Sequence, residues 1–167
     1  MKYLSSIILI AFMALMPQIV AAKSSKTEKA SIPFDRLAEM IATNEHWVEA
    51  NLIEIGLDKL ISVTEEEEFG ESSLFVYGKK VKAKLGEERQ VKLKSKGKHA
   101  FAIRVSLDTD NGTNLYFKSK ADHDAFMNCV RESNQYVHDG DYEAIGCSYL
   151  ESDEFENGWY VVSFHAG

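Results

Sequence analysis

The residues best suited to chemistry in this chain are two cysteines, five histidines, two lysine rows and a mixed acidic and aromatic C-terminal stretch. Cys129 and Cys147 can either form a bridge or supply a nucleophile. The histidines (His46, His99, His123, His138, His165) lie at spacings that fit no nucleophile signature with either cysteine. A pair of cysteines in a small exported domain predicts a disulfide. Closing that loop would stabilise by about 3 kcal/mol in the chain-entropy model.

Metal chemistry finds weaker support. Asp108-Thr109-Asp110-Asn111-Gly112 starts like a calcium loop, but the glycine comes one position early and Ser119 stands where the bidentate glutamate belongs. The segment reads as a hairpin turn, since Asn-Gly accepts positive φ easily. Asp122-His123-Asp124 offers ligand types, yet no second histidine follows four residues on, and acids at a helix start are favoured by the helix dipole alone. Gly-rich phosphate loops, G-x-S-x-G and H-E-x-x-H are absent. The reading is no metal and no cofactor. Catalytic residues are expected to be none, with a small hydrolase of unrecognised site as a remaining alternative.

Charge is the most uneven property. The chain carries a net −7, yet residues 79–98 hold nine basic residues against Glu87 and Glu88. Lys80, Lys82 and Lys84 alternate with Val81, Ala83 and Leu85 as one row, and Lys92 and Lys94, alternating with Val91 and Leu93, make another with Lys96. Alternate residues of a strand share a face. If the two strands pair, the lysines form one outward cationic face suited to a polyanion. Like charges directly opposite destabilise a sheet, so a partner or the chain's own acidic segments, Glu65–Glu68 and Asp139–Glu156, would have to offset them. Plain protection of an exposed edge is the simplest alternative. Aromatic residues do not interleave with these lysines, which argues against a single-stranded nucleic-acid platform.

Near the C-terminus, Tyr142, Tyr149, Phe155, Trp159, Tyr160 and Phe164 mix with acids. Aromatics beside carboxylates suit recognition of a protein partner. Glu151, Asp153, Glu154, Phe155 and Trp159 are the expected contact residues, placed in a loop. Alternation also predicts that about half of the aromatics belong to the core of the last strands.

These groups must be held by a fold, and the apolar pattern outlines one. Lys2, the apolar run Ile7–Met16, Pro17 and Val20-Ala21-Ala22 match a cleaved secretory signal over 1–22. The run is too short to span a bilayer, which takes roughly 20 apolar residues. A periplasmic or secreted location follows, with no membrane span in the mature chain. Residues 23–30 read as a flexible N-terminus and 31–167 as a single domain.

Phe34, Leu37, Ala38 and Ile41 recur at helical spacing and predict a helix over 33–43. In residues 46–63, Leu52, Ile55 and Lys59 fit a helix badly while Ile53, Ile55 and Leu57 alternate like a strand, which leaves helix and strand both open. From Ser72 the period becomes two, through 74–77, 81–85, 91–94, 101–107 and 115–117, which predicts an antiparallel meander of four to five strands. Ser119 and Asp122 resemble a capping box opening a helix that puts Phe126, Cys129, Val130, Ser133 and Val137 on one face and ends at Asp139-Gly140. Two last strands, Ala144–Leu150 and Trp159–Phe164, flank Asn157-Gly158 as a C-terminal β-hairpin. The expected class is α+β: N-terminal helix, meander, one packed helix, hairpin. With export, small size and no catalytic motif, the expected role is a non-catalytic binding protein of inhibitor or immunity type. It would dock on another envelope or secreted protein, and a polyanion-binding module is the second reading.

Overall fold

A computed structural model of the chain describes residues 32–57, 59–66, 70–78, 80–85, 91–106 and 112–166. The expected signal segment 1–22, the expected N-terminal stretch 23–30 and the Asp108–Asn111 part of the expected hairpin turn lie outside the described residues.

The chain folds as α1 (Phe34–Ala42), a 3-10 turn (Glu45–Trp47) and α2 (Glu49–Glu54). Strands β1 (Lys59–Glu66), β2 (Gly70–Tyr77), β3 (Lys82–Leu85), β4 (Val91–Lys94), β5 (Phe101–Ser106) and β6 (Gly112–Phe117) follow. Then come α3 (Lys120–Glu132), β7 (Tyr136–Asp139), β8 (Tyr142–Ile145), β9 (Ser148–Glu156) and β10 (Trp159–Ala166). Eight strands make one antiparallel sheet in the order β1-β2-β5-β6-β10-β9-β8-β7, and β3 with β4 make a separate two-stranded ribbon. The α+β class and the terminal hairpin follow the sequence pattern. The junction β6–β10 joins the meander to the C-terminal strands.

Period-two alternation gives the sheet two apolar faces. Phe75, Phe101, Ile103, Leu115, Phe117, Val162 and Phe164 pack against α1 and α3 through Leu37, Ile41, Phe126 and Val130. The ring of Phe34, on α1, meets Phe117 at 5.8 Å and Phe126 at 6.1 Å, edge to face. On the reverse face Leu74, Val76, Ala102, Tyr116, Trp159 and Val161 are covered by Val81, Val91 and Leu93 of the ribbon and its root. Both faces of the central strands are therefore largely covered, and on the reverse face Arg104, Asn114 and Ser163 continue as a half-buried polar row in which Arg104 donates to Asn114 and Asn114 to Ser163.

Three local expectations need correction, and residues 46–63, open between helix and strand in the sequence, are decided. The ribbon is an excursion between β2 and β5, which pair directly with Val76 opposite Ala102, so the meander proper is β1-β2-β5-β6. Residues 46–63 hold both a helix and a strand, separated at Gly56 with φ of 97°. The third helix stops at Glu132 instead of running to Asp139, and Tyr136–Asp139 pairs with β8 as an edge strand. Ser119 occupies the N-cap position of α3, but its side chain makes no capping bond; its carbonyl accepts from the His123 N–H at 3.1 Å.

The expected Cys129–Cys147 disulfide is absent, and both cysteines are free thiols. Cys129, half-buried on α3, shares a cleft with Asp35 and Arg36 at the start of α1. Cys147 lies in the exposed turn between β8 and β9, where its N–H reaches the Ala42 carbonyl at the other end of α1, 3.4 Å away. Putting Cys147 inside a strand beside α3 missed this turn. Gly146 and Ser148 complete the docking: the Gly146 N–H donates to Gln135 at 3.0 Å and the Ser148 hydroxyl donates to the Ile41 carbonyl at 3.0 Å. The Ala42 and Ile41 carbonyls at the end of α1 are thereby given partners outside the helix.

Candidate functional site

The ribbon is the most distinctive surface. Its register puts Lys82 opposite Lys94, Ala83 opposite Leu93, Lys84 opposite Lys92 and Leu85 opposite Val91. Val91 and Leu93 are buried against the sheet, while Lys82, Lys84, Lys92 and Lys94 are exposed. Opposite residues lie about 5 Å apart across a strand pair, and residues two apart lie about 6.7 Å along a strand. Four ammonium-bearing side chains thus spring from one small rectangle. Lys80 is also exposed but sits in the turn before β3 with φ of 58°, outside the paired register. Among the described residues, no carboxylate forms an ion pair with the four paired lysines.

The basic run continues past the ribbon. Lys96 and Lys98 are exposed immediately after β4, and they line a cleft of about 300 Å³ with Ser95, Gly97, Lys118 and Ser119. Lys118 donates to the Gly158 carbonyl at 2.9 Å, and its amine stands 5.2 Å from the centre of the Trp159 ring. The alternation in the sequence carries the second lysine row as far as Lys96, and the cleft adds Lys98 and Lys118. The unbroken Lys92-x-Lys94-x-Lys96-x-Lys98 alternation is the signal that reaches Lys98.

The expected acidic and aromatic contact residues do not converge. Trp159 is only 2% exposed, in the apolar layer beneath the ribbon, and so serves as core and not as a contact anchor. Residues Glu151–Glu156 form part of β9 instead of a loop. Phe155 is 67% exposed with its ring 5.0 Å from that of Tyr160, which packs on the helix-bearing face. Glu151 instead meets His165 at 2.6 Å, and His165 alternates with Phe164 of the helix-side core. Phe155 and Glu151 therefore point to opposite faces. Asp153 and Glu154 pair across to Val162 and Val161 in the β9–β10 ladder.

The histidines are dispersed. His46 is buried, its Nδ1 3.2 Å from the Met40 carbonyl and its Nε2 3.0 Å from the Thr113 hydroxyl. Burial holds it down to about 4, partly opposed by the Met40 bond, so the ring is neutral at pH 7. With a carbonyl at Nδ1, that nitrogen donates and Nε2 accepts from Thr113. Of the Asp122-His123-Asp124 set, Asp122 turns to His99 at 3.0 Å, while Asp124 takes Lys120 at 2.6 Å and His123 at 3.0 Å. Those two contacts, Lys120 first, hold Asp124 below the ordinary carboxylate range. No group of three or more His, Cys, Asp or Glu side chains among the described residues is arranged to hold a metal ion.

The cleft beside Cys129, about 640 Å³, is lined by Asp35, Glu39 and Glu132 among others. Burial, then Asp35 and Glu132, push the Cys129 thiol up. That is the reverse of what a nucleophilic thiolate needs. Among the described residues no helix is long and apolar enough to cross a membrane.

Comparisons with family models, with curated proteins and with solved structures find no match for this chain, so its own geometry carries the functional argument.

Proposed function

We propose that this chain is an exported, non-catalytic binding module that engages a polyanion through the outward face of the β3–β4 ribbon. The observation that carries this reading is the register that sets Lys82 against Lys94 and Lys84 against Lys92 while Val91 and Leu93 face the sheet. Such a face opposes its own charge, and a polyanion relieves that repulsion while gaining several ammonium contacts at once. Export is supported by the signal-like pattern of residues 1–22.

The test is retention of the mature chain on immobilised heparin and on vesicles containing anionic lipid. Binding should fall steeply with added salt. Changing Lys82, Lys84, Lys92 and Lys94 together to Gln should move elution to much lower salt. Elution of that variant at the parental salt concentration would remove the reading.

Docking on another envelope or secreted protein, of inhibitor or immunity type, keeps one supporting observation, the exposed Phe155 ring. Its discriminating experiment is a pull-down from envelope extract with Phe155→Ala beside the lysine variant. A partner lost only with Phe155→Ala would favour this second reading.

A further inference from the structure

We infer that the cleft at the root of the ribbon seats a phosphate or sulfate ester group of a saccharide, as the anchoring end of the polyanion that the ribbon holds. This rests on the polyanion reading and specifies its ligand. The cleft opens one residue after Lys94, so the cationic surface runs into it along the chain. Its volume of about 300 Å³ lies at the small end of ligand sites, which span roughly 300–1,000 Å³.

The lining chemistry is selective. Lys96, Lys98 and Lys118 line the cleft together with Ser95 and Ser119, and the Ser95 hydroxyl accepts from the Gly97 N–H at 3.0 Å, which fixes the loop that carries Lys96 and Lys98. Neither a carboxylate nor an aromatic side chain lines the cleft. That composition suits the anionic oxygens of a phosphate or sulfate ester on a hydroxyl-rich carrier and gives a nucleobase nothing to stack on. Lys118 is already positioned by the Gly158 carbonyl and the Trp159 ring. An ammonium has three donors, so the bond to Gly158 leaves two for a ligand. Ser119 spends no side-chain bond on capping α3. The acid closest in sequence, Asp122 in the first turn of α3, is engaged by His99.

The experiment titrates the mature protein with inorganic phosphate and follows backbone amide shifts. Saturable shifts are expected at Gly97, Lys98 and Ser119 but not along Lys82–Lys84. Mannose 6-phosphate and glucosamine 6-sulfate, as separate arms, show which ester the cleft prefers. Lys96→Gln with Lys98→Gln, both exposed positions, should weaken phosphate binding about tenfold or more. The four-lysine ribbon variant should bind phosphate as the parent does and lose heparin retention only.

Absent shifts, or shifts that ignore Lys96→Gln and Lys98→Gln, overturn the cleft while leaving the ribbon reading intact. Heparin retention that survives the ribbon variant overturns the ribbon reading, and with it the cleft's role as the end of that surface. Lys118→Gln is the more disruptive probe, so its melting temperature is compared with that of Lys118→Arg, which should keep both fold and binding.

Discussion

Lys84 stands directly opposite Lys92 across the β3–β4 ribbon, like charge facing like charge, while their strand neighbours Val91 and Leu93 are buried. Stability and binding are therefore opposed at this pair. Lys92→Glu converts a repulsive pair into an attractive one and should stabilise the fold by about 0.5 kcal/mol. The same change should lower retention on heparin. Urea denaturation and salt elution of the one variant check both signs, and a variant that loses both stability and retention contradicts the arrangement.

Gly146 has φ of +57°, and a Cβ there would lie 2.0 Å from the Ala42 carbonyl oxygen and 2.7 Å from its carbon. Those atoms are backbone, so the β8–β9 turn would have to leave the end of α1. Gly146→Ala should cost about 3 kcal/mol or more, counting left-handed strain and the lost turn contacts. Gly140, with φ of +62° and open space around it, is the control. Gly140→Ala should cost only about 1 kcal/mol. Thermal melts of the two variants measure the difference.

Trp159 and Phe155 should behave in opposite ways. Trp159→Ala removes a fully buried ring from beneath the ribbon and should destabilise by about 3–5 kcal/mol. Phe155→Ala, at a site 67% exposed, should fall below about 1 kcal/mol. Chemical denaturation distinguishes them. A mild effect of Trp159→Ala would contradict the second apolar layer.

His46 predicts an acid-sensitive fold. Its folded value is near 4 against an ordinary 6.5, so the unfolded chain binds the proton first. The stability that a neutral His46 confers is complete above about pH 6.5 and is lost as pH falls toward 4, at up to about 1.4 kcal/mol per pH unit. Below that value both states are protonated and this loss stops. Protonation would also place an uncompensated charge between α1 and β6, at the Met40 carbonyl and Thr113. His46→Gln can still donate to Met40 but does not titrate. The gap in unfolding free energy between parent and His46→Gln should narrow between pH 7 and pH 4.5, and a gap independent of pH would refute the assignment.

The free thiols predict an ordered reactivity. Cys147 is exposed and Cys129 half-buried with its thiol pushed up. Thiol titration of the native protein should modify Cys147 first, and Cys129 at the rate of unfolding or local opening. A reductant should leave the melting temperature unchanged. A mass two units below the reduced chain (the loss of two hydrogens, on the order of one disulfide) would reinstate the bridge.

What the amino-acid order determined by itself was whatever depends on neighbours along the chain. The period of Phe34, Leu37, Ala38 and Ile41 specifies α1, and Asn157-Gly158, with φ of 49° and 80°, specifies the β9–β10 turn. Alternation along 81–85 and 91–94 is enough to turn lysines one way and aliphatics the other, because strand geometry repeats every two residues.

Only the tertiary structure decided how distant pieces meet. Trp159 and Phe155 sit in similar sequence surroundings, yet one is covered because the ribbon folds back over Leu74, Val76 and Val161, a contact between segments far apart in the chain. Cys129 and Cys147 are placed by the packing of α1 between α3 and the β8–β9 turn. Lys98 and Lys118, about twenty residues apart, share a cleft because β5 and β6 form a hairpin that returns the chain to the ribbon's root. Burial and proximity of this kind come from long-range packing, and no local period encodes which segment will cover which.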